Sequence, residues 1–415
     1  MTQHQPAPSR TSAAPSHSPM GFAEFVVLIA SLMALNALAI DIMLPALPDI
    51  GNALGVLQDN DRQLVLSSYL IGFGIGQVLI GSVSDRFGRK AVLLWGLALY
   101  VLAAGLCAMT PSFELLLAAR FLHGLGSAAP RVITTSVVRD CFGGRAMASV
   151  MSLAMMVFMA IPVLAPSIGQ LIILFAPWRA IFVLLTAYGF LIAIWVMLRL
   201  PETLPTAKRR ALGPKQILSA FREVLTTRQS LGYALAGGTM FGALFGFLMS
   251  AQQIFTEIFG LGPYFPLAFA AIALAMSVSS FINSRLVGRF GMRVMSHGAV
   301  TVFTGVSALL ALLASFGALS LLPFMVLLGA VMFLVGMIFS NFNALAMEPQ
   351  GHIAGTASSL FGSITTLIAA SIGSVVGHAY DHTLIPLSTG FLLLGALTLV
   401  IIAVTEKGHL FRAGG

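Results

Sequence analysis

Gly81-Ser82-Val83-Ser84-Asp85-Arg86-Phe87-Gly88-Arg89-Lys90 is set between two long apolar segments. Four ionic side chains and two glycines share a gap too short to be a domain. A connection that tight and that charged holds two membrane helices in a fixed geometry, with its charges in water and its neighbours in hydrocarbon.

Of the 415 residues, 58% are hydrophobic and only 9% are charged, and the mean hydropathy is +0.96. A soluble domain keeps roughly a quarter of its residues charged, so this composition excludes one and makes the chain an integral membrane protein. The net charge is +8, from 22 Lys and Arg against 14 Asp and Glu. It is not read as a nucleic-acid footprint, because the positive residues mark the loops of one side of a bilayer. Cys107 falls in an apolar segment and Cys141 in a short loop, so neither a disulfide framework nor a metal site is implied. Residues 1–20, rich in Pro, Ser and Thr, read as a disordered tail. The apolar run 22–40 is too long for the core of a signal peptide, and many more such runs follow it.

A span needs about 20 apolar residues. Runs of that kind give twelve: 22–44, 64–83, 91–109, 113–137, 147–172 and 180–200, then 231–255, 266–286, 295–316, 321–343, 354–377 and 386–404. The expected fold is therefore an all-α bundle of two six-helix halves, 21–200 and 231–405, with short tails. With the N-terminus inside, only Arg62 and Arg179 fall in outer loops, and only Arg120 and Arg131 lie within a span. All other Lys and Arg are then cytoplasmic, which predicts both termini on that side. The gap 201–230 contains Lys208-Arg209-Arg210, and its Ile217–Leu225 stretch is either a surface amphipathic segment or a solvated linker.

The halves repeat. Arg289-Phe290-Gly291 follows Arg86-Phe87-Gly88 by 203 residues, and Ser371-Ile372-Gly373 follows Ser167-Ile168-Gly169 by 204. Each pair falls at equivalent spans. Duplicated halves around a midplane cavity are a common transporter design.

On these features the chain resembles the major facilitator superfamily. Gly81, Asp85, Arg86, Gly88, Arg89 and Lys90 match its loop motif G-x-x-x-D-R-x-G-R-K between helices two and three. Asp41-Ile42-Met43-Leu44-Pro45-Ala46-Leu47-Pro48 is similar to the first-helix signature of its drug:proton antiporters, in particular the bicyclomycin/chloramphenicol-resistance (Bcr/CflA) group. Arg120-Phe121-Leu122-His123-Gly124 resembles the fourth-helix motif R-x-x-Q-G, and Ala165-Pro166-Ser167-Ile168-Gly169 the fifth-helix motif G-P-x-x-G-G. Trp178-Arg179 and Gly355-Thr356-Ala357-Ser358 also look like this group. There are departures: His123 replaces Gln, Ala165 and Gln170 replace Gly, and the second-half loop has Gly288 and Met292 where the first has Asp85 and Arg89.

The resemblance implies a proton-coupled exporter of small amphipathic compounds, drugs among them, working by alternating access in a bacterial inner membrane. Its expected partners are a small molecule, protons and the bilayer, with no nucleic acid and no cofactor, and it is expected to act as a monomer. The rival is a metabolite or amino-acid transporter of the same fold. An enzyme or an ATP-driven pump would need a catalytic constellation or a G-x-x-x-x-G-K-[ST] loop, and neither is visible. A channel would tend toward a selectivity filter rather than duplicated halves.

Asp41 is the one acid placed inside or at the end of a span. A carboxylate near hydrocarbon is costly when ionised, which makes it a natural proton carrier, or else an interfacial residue closing the helix. Arg120, Gly124, Ser127 and Arg131 share a face of their helix, at spacings of four, three and four. Arg120 cannot readily lose its charge and must find an acceptor, so either it communicates with Asp41 across the cavity or the two form a static pair. Arg131 either lines the cavity or snorkels to the interface. His123 is expected to be a hydrogen-bonding cavity residue; no second metal ligand is spaced near it. Pro162, Pro166 and Gly169 either bend the fifth span and seal it against the other half, as the resemblance implies, or mark an ordinary proline-distorted membrane helix. Asp85 is the expected gate, with Arg139, Asp140 and Arg145 as candidate partners, and Arg86, Arg89 and Lys90 also read as topology signals. Phe and Met are abundant, at 30 and 20, and suit an adaptable apolar cavity. Gln252, Gln253, Asn283, Asn341 and Asn343 are its polar candidates in the second half.

Overall fold

A computed structural model describes residues 20–209, 214–317 and 319–411. Among the described residues, twelve helices have 20 residues or more, enough at 1.5 Å per residue to cross about 30 Å of hydrocarbon. The first half contains α1 (Phe22–Asp41), the short α2 (Leu47–Ala53), α3 (Leu64–Phe87), α4 (Arg89–Met109), α5 (Phe113–Cys141), α6 (Gly144–Phe175) and α7 (Arg179–Arg199). The second contains α9 (Arg228–Gln253), α10 (Phe265–Phe290), α11 (Met292–Ser315), α12 (Leu321–Met347), α13 (Ala354–His378) and α14 (Ile385–Thr405). Between them lies α8 (Pro214–Thr226). All twelve expected spans are present. Eleven are long and apolar enough to cross a membrane; α5, which carries Arg120, His123 and Arg131, is the exception.

Packing follows a pseudo-two-fold pattern. In the first half α5 packs on α3 and α4, α4 on α7, and α1 on α6; in the second, α12 packs on α10 and α11, α11 on α14, and α9 on α13. The halves meet along two seams, α3 with α13 and α6 with α10, which exchange under the same operation. The repeat read from the tripeptides is thus structural. Gly88 and Gly291 both take left-handed backbone, φ +98° and +80°, where the second spanning helix of each half turns into the third.

The helices run past the apolar windows. Hydropathy marks only the hydrocarbon layer, whereas backbone hydrogen bonding continues into the charged interface. Most of the opening stretch is therefore not a loop: α3 extends through Phe87, Gly88 makes the turn and α4 begins at Arg89. Cys141, expected in a loop, closes α5. The amphipathic stretch Ile217–Leu225 lies within α8, where Phe221 and Val224 pack against Ala357 and Leu360 of α13. Residues 1–19 of the expected tail, Arg210 of the basic run and residues 412–415 lie outside the described residues.

Candidate functional site

α5 is capped by Ser112, whose hydroxyl accepts from the Leu115 amide at 3.4 Å, and carries a guanidinium deep in the bundle. Arg120 has no exposed surface. Its Nε donates to the Val65 carbonyl of α3 at 3.2 Å and its Nη2 to the Ala39 carbonyl of α1 at 3.1 Å. Its Nη1 lies 3.1 Å from His123 Nδ1. A guanidinium only donates, so His123 Nδ1 accepts and the ring hydrogen sits on Nε2, which meets no partner. The rings of Tyr69 and Phe182 lie over the guanidinium, 4.4 and 5.7 Å from its carbon, and cation–π attraction adds to those hydrogen bonds. Gly124 permits the arrangement: a Cβ there would strike the Tyr69 carbonyl, so α3 and α5 touch backbone to backbone.

Asp41 is buried, 5% exposed, at the C-terminal end of α1. It forms no ion pair with Arg120. The expected static pair is replaced by the bond from Arg120 to the α1 backbone two residues earlier, because the guanidinium is already saturated by carbonyls, imidazole and rings. Among the described residues no hydrogen-bond donor or cation engages the Asp41 carboxylate. His123 is equally buried and lines no open cavity, and no cluster that could hold a metal occurs among the described residues.

Below Arg120 on the same face, Ser127 belongs to a polar triad. Tyr69 Oη donates to Asn36 Oδ1 at 2.9 Å, Ser127 Oγ donates to the same oxygen at 3.1 Å, and the two hydroxyls are 2.7 Å apart. One turn further along α5, Arg131 is exposed and carries no partner among the described residues.

The opening stretch builds a cluster inside its own half. Arg89 is buried and pairs with Asp85 at 2.7 Å and Asp140 at 3.2 Å, and it also donates to Ser84 Oγ at 2.6 Å. Glu202, at the end of the half, accepts from the Arg89 and Lys90 amides at 2.9 and 3.3 Å and so caps α4. Lys90 Nζ reaches the Met197 carbonyl and Arg86 lies over Phe87. Of the candidate partners for Asp85, Asp140 joins it through Arg89; Arg139 approaches Gly355 instead, and the side chain of Arg145 lies outside the described residues. Gly81 faces Ser359 across the α3–α13 seam. The second half repeats the cluster with other residues. Arg293, next to the Met292 that stands opposite Arg89, pairs with Glu348 at 3.3 Å and Glu406 at 3.0 Å.

α6 stays helical through Pro162 and Pro166. Gly169 does not face the other half as expected; it packs on the Ile42 carbonyl and Pro45 at the end of α1. The face that meets α10 is about one and a half to three turns earlier, where Met159, Ala160, Val163 and Leu164 line a groove of about 330 Å³ with Leu274 and Ser277.

At the end of the bundle opposite the two clusters, polar groups bind the halves together. Asn60 Nδ2 donates to the His378 and Tyr380 carbonyls at 2.9 and 2.8 Å, and Gln63 Nε2 donates to Gln253 Oε1 at 3.0 Å. Arg62 pairs with Glu257 at 3.1 Å, His382 lies 3.2 Å from Glu257, and His378 lies 3.6 Å from Asp61. Gln253 is therefore part of a seal rather than of a cavity wall. Gln252 donates to Thr256, Asn283 and Asn341 bond each other at 2.8 Å, and Asn343 is exposed. The sequence reading missed Asn36, Tyr69, Glu202 and the seal. Asn36 left a signal, as an amide inside an otherwise apolar span; the seal left none, because its partners are about 190 residues or more apart.

The family model of the Major Facilitator Superfamily matches residues 29–374. An uncharacterized MFS-type transporter of Bacillus subtilis is 34% identical over 87% of this chain and 90% of its own length. The bicyclomycin resistance protein homolog of Haemophilus influenzae is 32% identical over 88% and 91%, and the chloramphenicol resistance protein of Pseudomonas aeruginosa 32% over 85% and 83%. Among solved structures, the xylose transporter XylE from E. coli superposes with a TM-score of 0.71 at 11% identity, covering 95% of this chain and 99% of that one. The human organic anion transporter MFSD10 superposes with a TM-score of 0.64 at 20% identity, covering 93% and 100%. Two pseudo-symmetric six-helix halves, the charged turn at Gly88 and a family match over most of the sequence lead to one assignment: this chain belongs to the major facilitator superfamily.

Proposed function

We propose that the protein exports small amphipathic compounds, drugs among them, in exchange for protons. It works as a monomer in a bacterial inner membrane with both termini in the cytoplasm. The resistance proteins among its relatives support the cargo class, and the excess of Lys and Arg at the Gly88 end supports the orientation. The observation that carries the coupling is Asp41, a buried carboxylate with no partner among the described residues, at the end of the helix that Arg120 grips. A carboxylate held that way exchanges a proton whenever its surroundings change between hydrated and dry.

In this reading the seal around Gln63 and Gln253 closes the outer side, and cargo enters from the cytoplasm. Asp85, paired within its own half to Arg89, is the released form of an inner gate that engages α13 when the outer side opens. Cargo binding to the deprotonated protein opens the outer side; a proton taken up by Asp41 accompanies the return. Gly124 and Gly169 hold α1, α3, α5 and α6 close enough for Asp41 and Arg120 to sense each other through the α1 backbone. Proteoliposomes with an imposed pH gradient test the reading: collapse of the gradient on adding a dye or antibiotic supports it, and silence across dyes, antibiotics and amino acids with active protein overturns it.

A further inference from the structure

The triad on α1, α3 and α5 fixes the direction of one amide. Asn36 Oδ1 is occupied by the Tyr69 and Ser127 hydroxyls, so its Nδ2 points away from them. Among the described residues that Nδ2 has no acceptor, and Asn36 is partly exposed. Arg131, four residues and about 6 Å of helix rise along α5 from Ser127, has a guanidinium that is also without an acceptor among the described residues. The face it shares with Arg120, His123 and Ser127 is fully buried above it, so the cover that α1 and α3 give this face ends at Arg131.

Among the described residues no carboxylate pairs with Arg131. Asp85 and Asp140 are held by Arg89, and Glu202 caps α4. Asp41 lies five residues beyond Asn36 on α1, about 7.5 Å further from Arg131 by helix rise. Across the α3–α13 seam, Gln77 donates to Thr366 at 3.2 Å, and neither carries a charge. Two N–H donors of different strength, a preset amide on α1 and a guanidinium fork on the α5 face that Asn36 packs against, are therefore left without an acceptor among the described residues.

We propose that Asn36 and Arg131 form the subsite that reads the cargo's head group, and that the cargo it selects carries an oxygen acceptor, a carboxylate above all, on an apolar body. This names the substrate class of the exporter proposed above and rests on that reading. The guanidinium fork takes the two carboxylate oxygens side by side, as arginine does with planar anions, while the Asn36 amide donates to the same group from α1. Export of such an anion against an entering proton moves charge, so an interior-negative membrane favours it.

Fluorescein and rhodamine 6G share a xanthene core, but the first is an anion with a free carboxylate and the second a cation whose carboxyl group is esterified. Binding of each to the purified protein in detergent, and its export from proteoliposomes under a pH gradient, separates the subsite from the rest of the machine. Arg131→Gln and Asn36→Leu are expected to weaken fluorescein binding about tenfold or more, the loss of a charge-assisted or preset donor, and to leave rhodamine 6G within about twofold. Arg131→Lys should fall between, keeping the charge but not the fork. Equal loss of both dyes, no loss of either, or a wild-type protein that binds rhodamine 6G and not fluorescein overturns the subsite. Normal binding with no gradient-driven movement of either dye overturns the exporter instead.

Discussion

Arg120 Nη2 donates to the Ala39 carbonyl at 3.1 Å, two residues before Asp41 on the same helix. The fixed charge of α5 thus holds the backbone of α1 beside the titratable group rather than pairing with it. Lysine offers a single point charge and cannot serve Val65, Ala39 and His123 together. A hydrogen bond from a charged donor contributes about 1.5–3 kcal/mol. Arg120→Lys is therefore expected to lower the thermal midpoint in detergent by several degrees and to cut gradient-driven transport more than tenfold. Wild-type transport in that variant would remove Arg120 from the coupling.

Asp41→Asn keeps the shape and removes the exchangeable proton. It is expected to abolish uphill export while cargo binding in detergent remains within a few-fold of wild type. Uphill export that survives would move the proton site elsewhere.

The outer seal should report on the conformational equilibrium. Glu257 holds Arg62 across the halves at 3.1 Å, and Arg62 is otherwise buried with Asp59 at 3.6 Å. Glu257→Gln is expected to loosen the seal, so that a cysteine placed at Ser67, buried one turn inward from Gln63, reacts several-fold faster with a membrane-impermeant thiol reagent. Unchanged reactivity would show that the amide contacts of Asn60 and Gln63 suffice.

Gly88→Ala should destabilise through backbone strain. The φ of +98° suits glycine, and a Cβ there would collide with the Glu202 carboxylate that caps α4. A cost of about 1–3 kcal/mol follows, visible as a lower melting temperature and poorer yield.

Glu406 predicts an acid-side weakness. Burial raises its pKa, but hydrogen bonds from Tyr233 and Arg293 outweigh it and hold the carboxyl below its usual 4.5. Between those two values the unfolded chain binds the proton and the folded chain does not. The contribution is thus complete above the unfolded value and is lost as pH falls through the folded one. Melting temperatures taken from about pH 6 down to about pH 3 should fall, and Glu406→Gln should flatten that part of the curve.

The twelve spans and their duplication were legible because hydrocarbon imposes a length and a composition on each helix. Arg120 and Asp41 were legible for the complementary reason, that charge in such a segment needs a cause. Their relationship was not: nothing in spacing tells a guanidinium to choose the Ala39 carbonyl over the acid two residues on. Asn36 was visible as a polar residue but not as an oriented one, since its orientation comes from hydroxyls on two other helices. The comparison of Met292 with Arg89 was misleading for a related reason. Arg293, one residue on, does the pairing, because a long side chain at a helix start can reach acids from either position.

Glu202 sits at the end of the first six helices and caps the start of α4; Glu406 sits at the end of the second six and binds Arg293 near the start of α11. Each half is thereby fastened into a ring, its last helix tied back to the turn after its second. Two closed rings cannot easily bend within themselves, so motion is left to the places where they slide past each other and to the single strap of chain that joins them. Severing that strap between α7 and α8 would then give two pieces that still find one another, because neither borrows from the other what it needs to keep its shape.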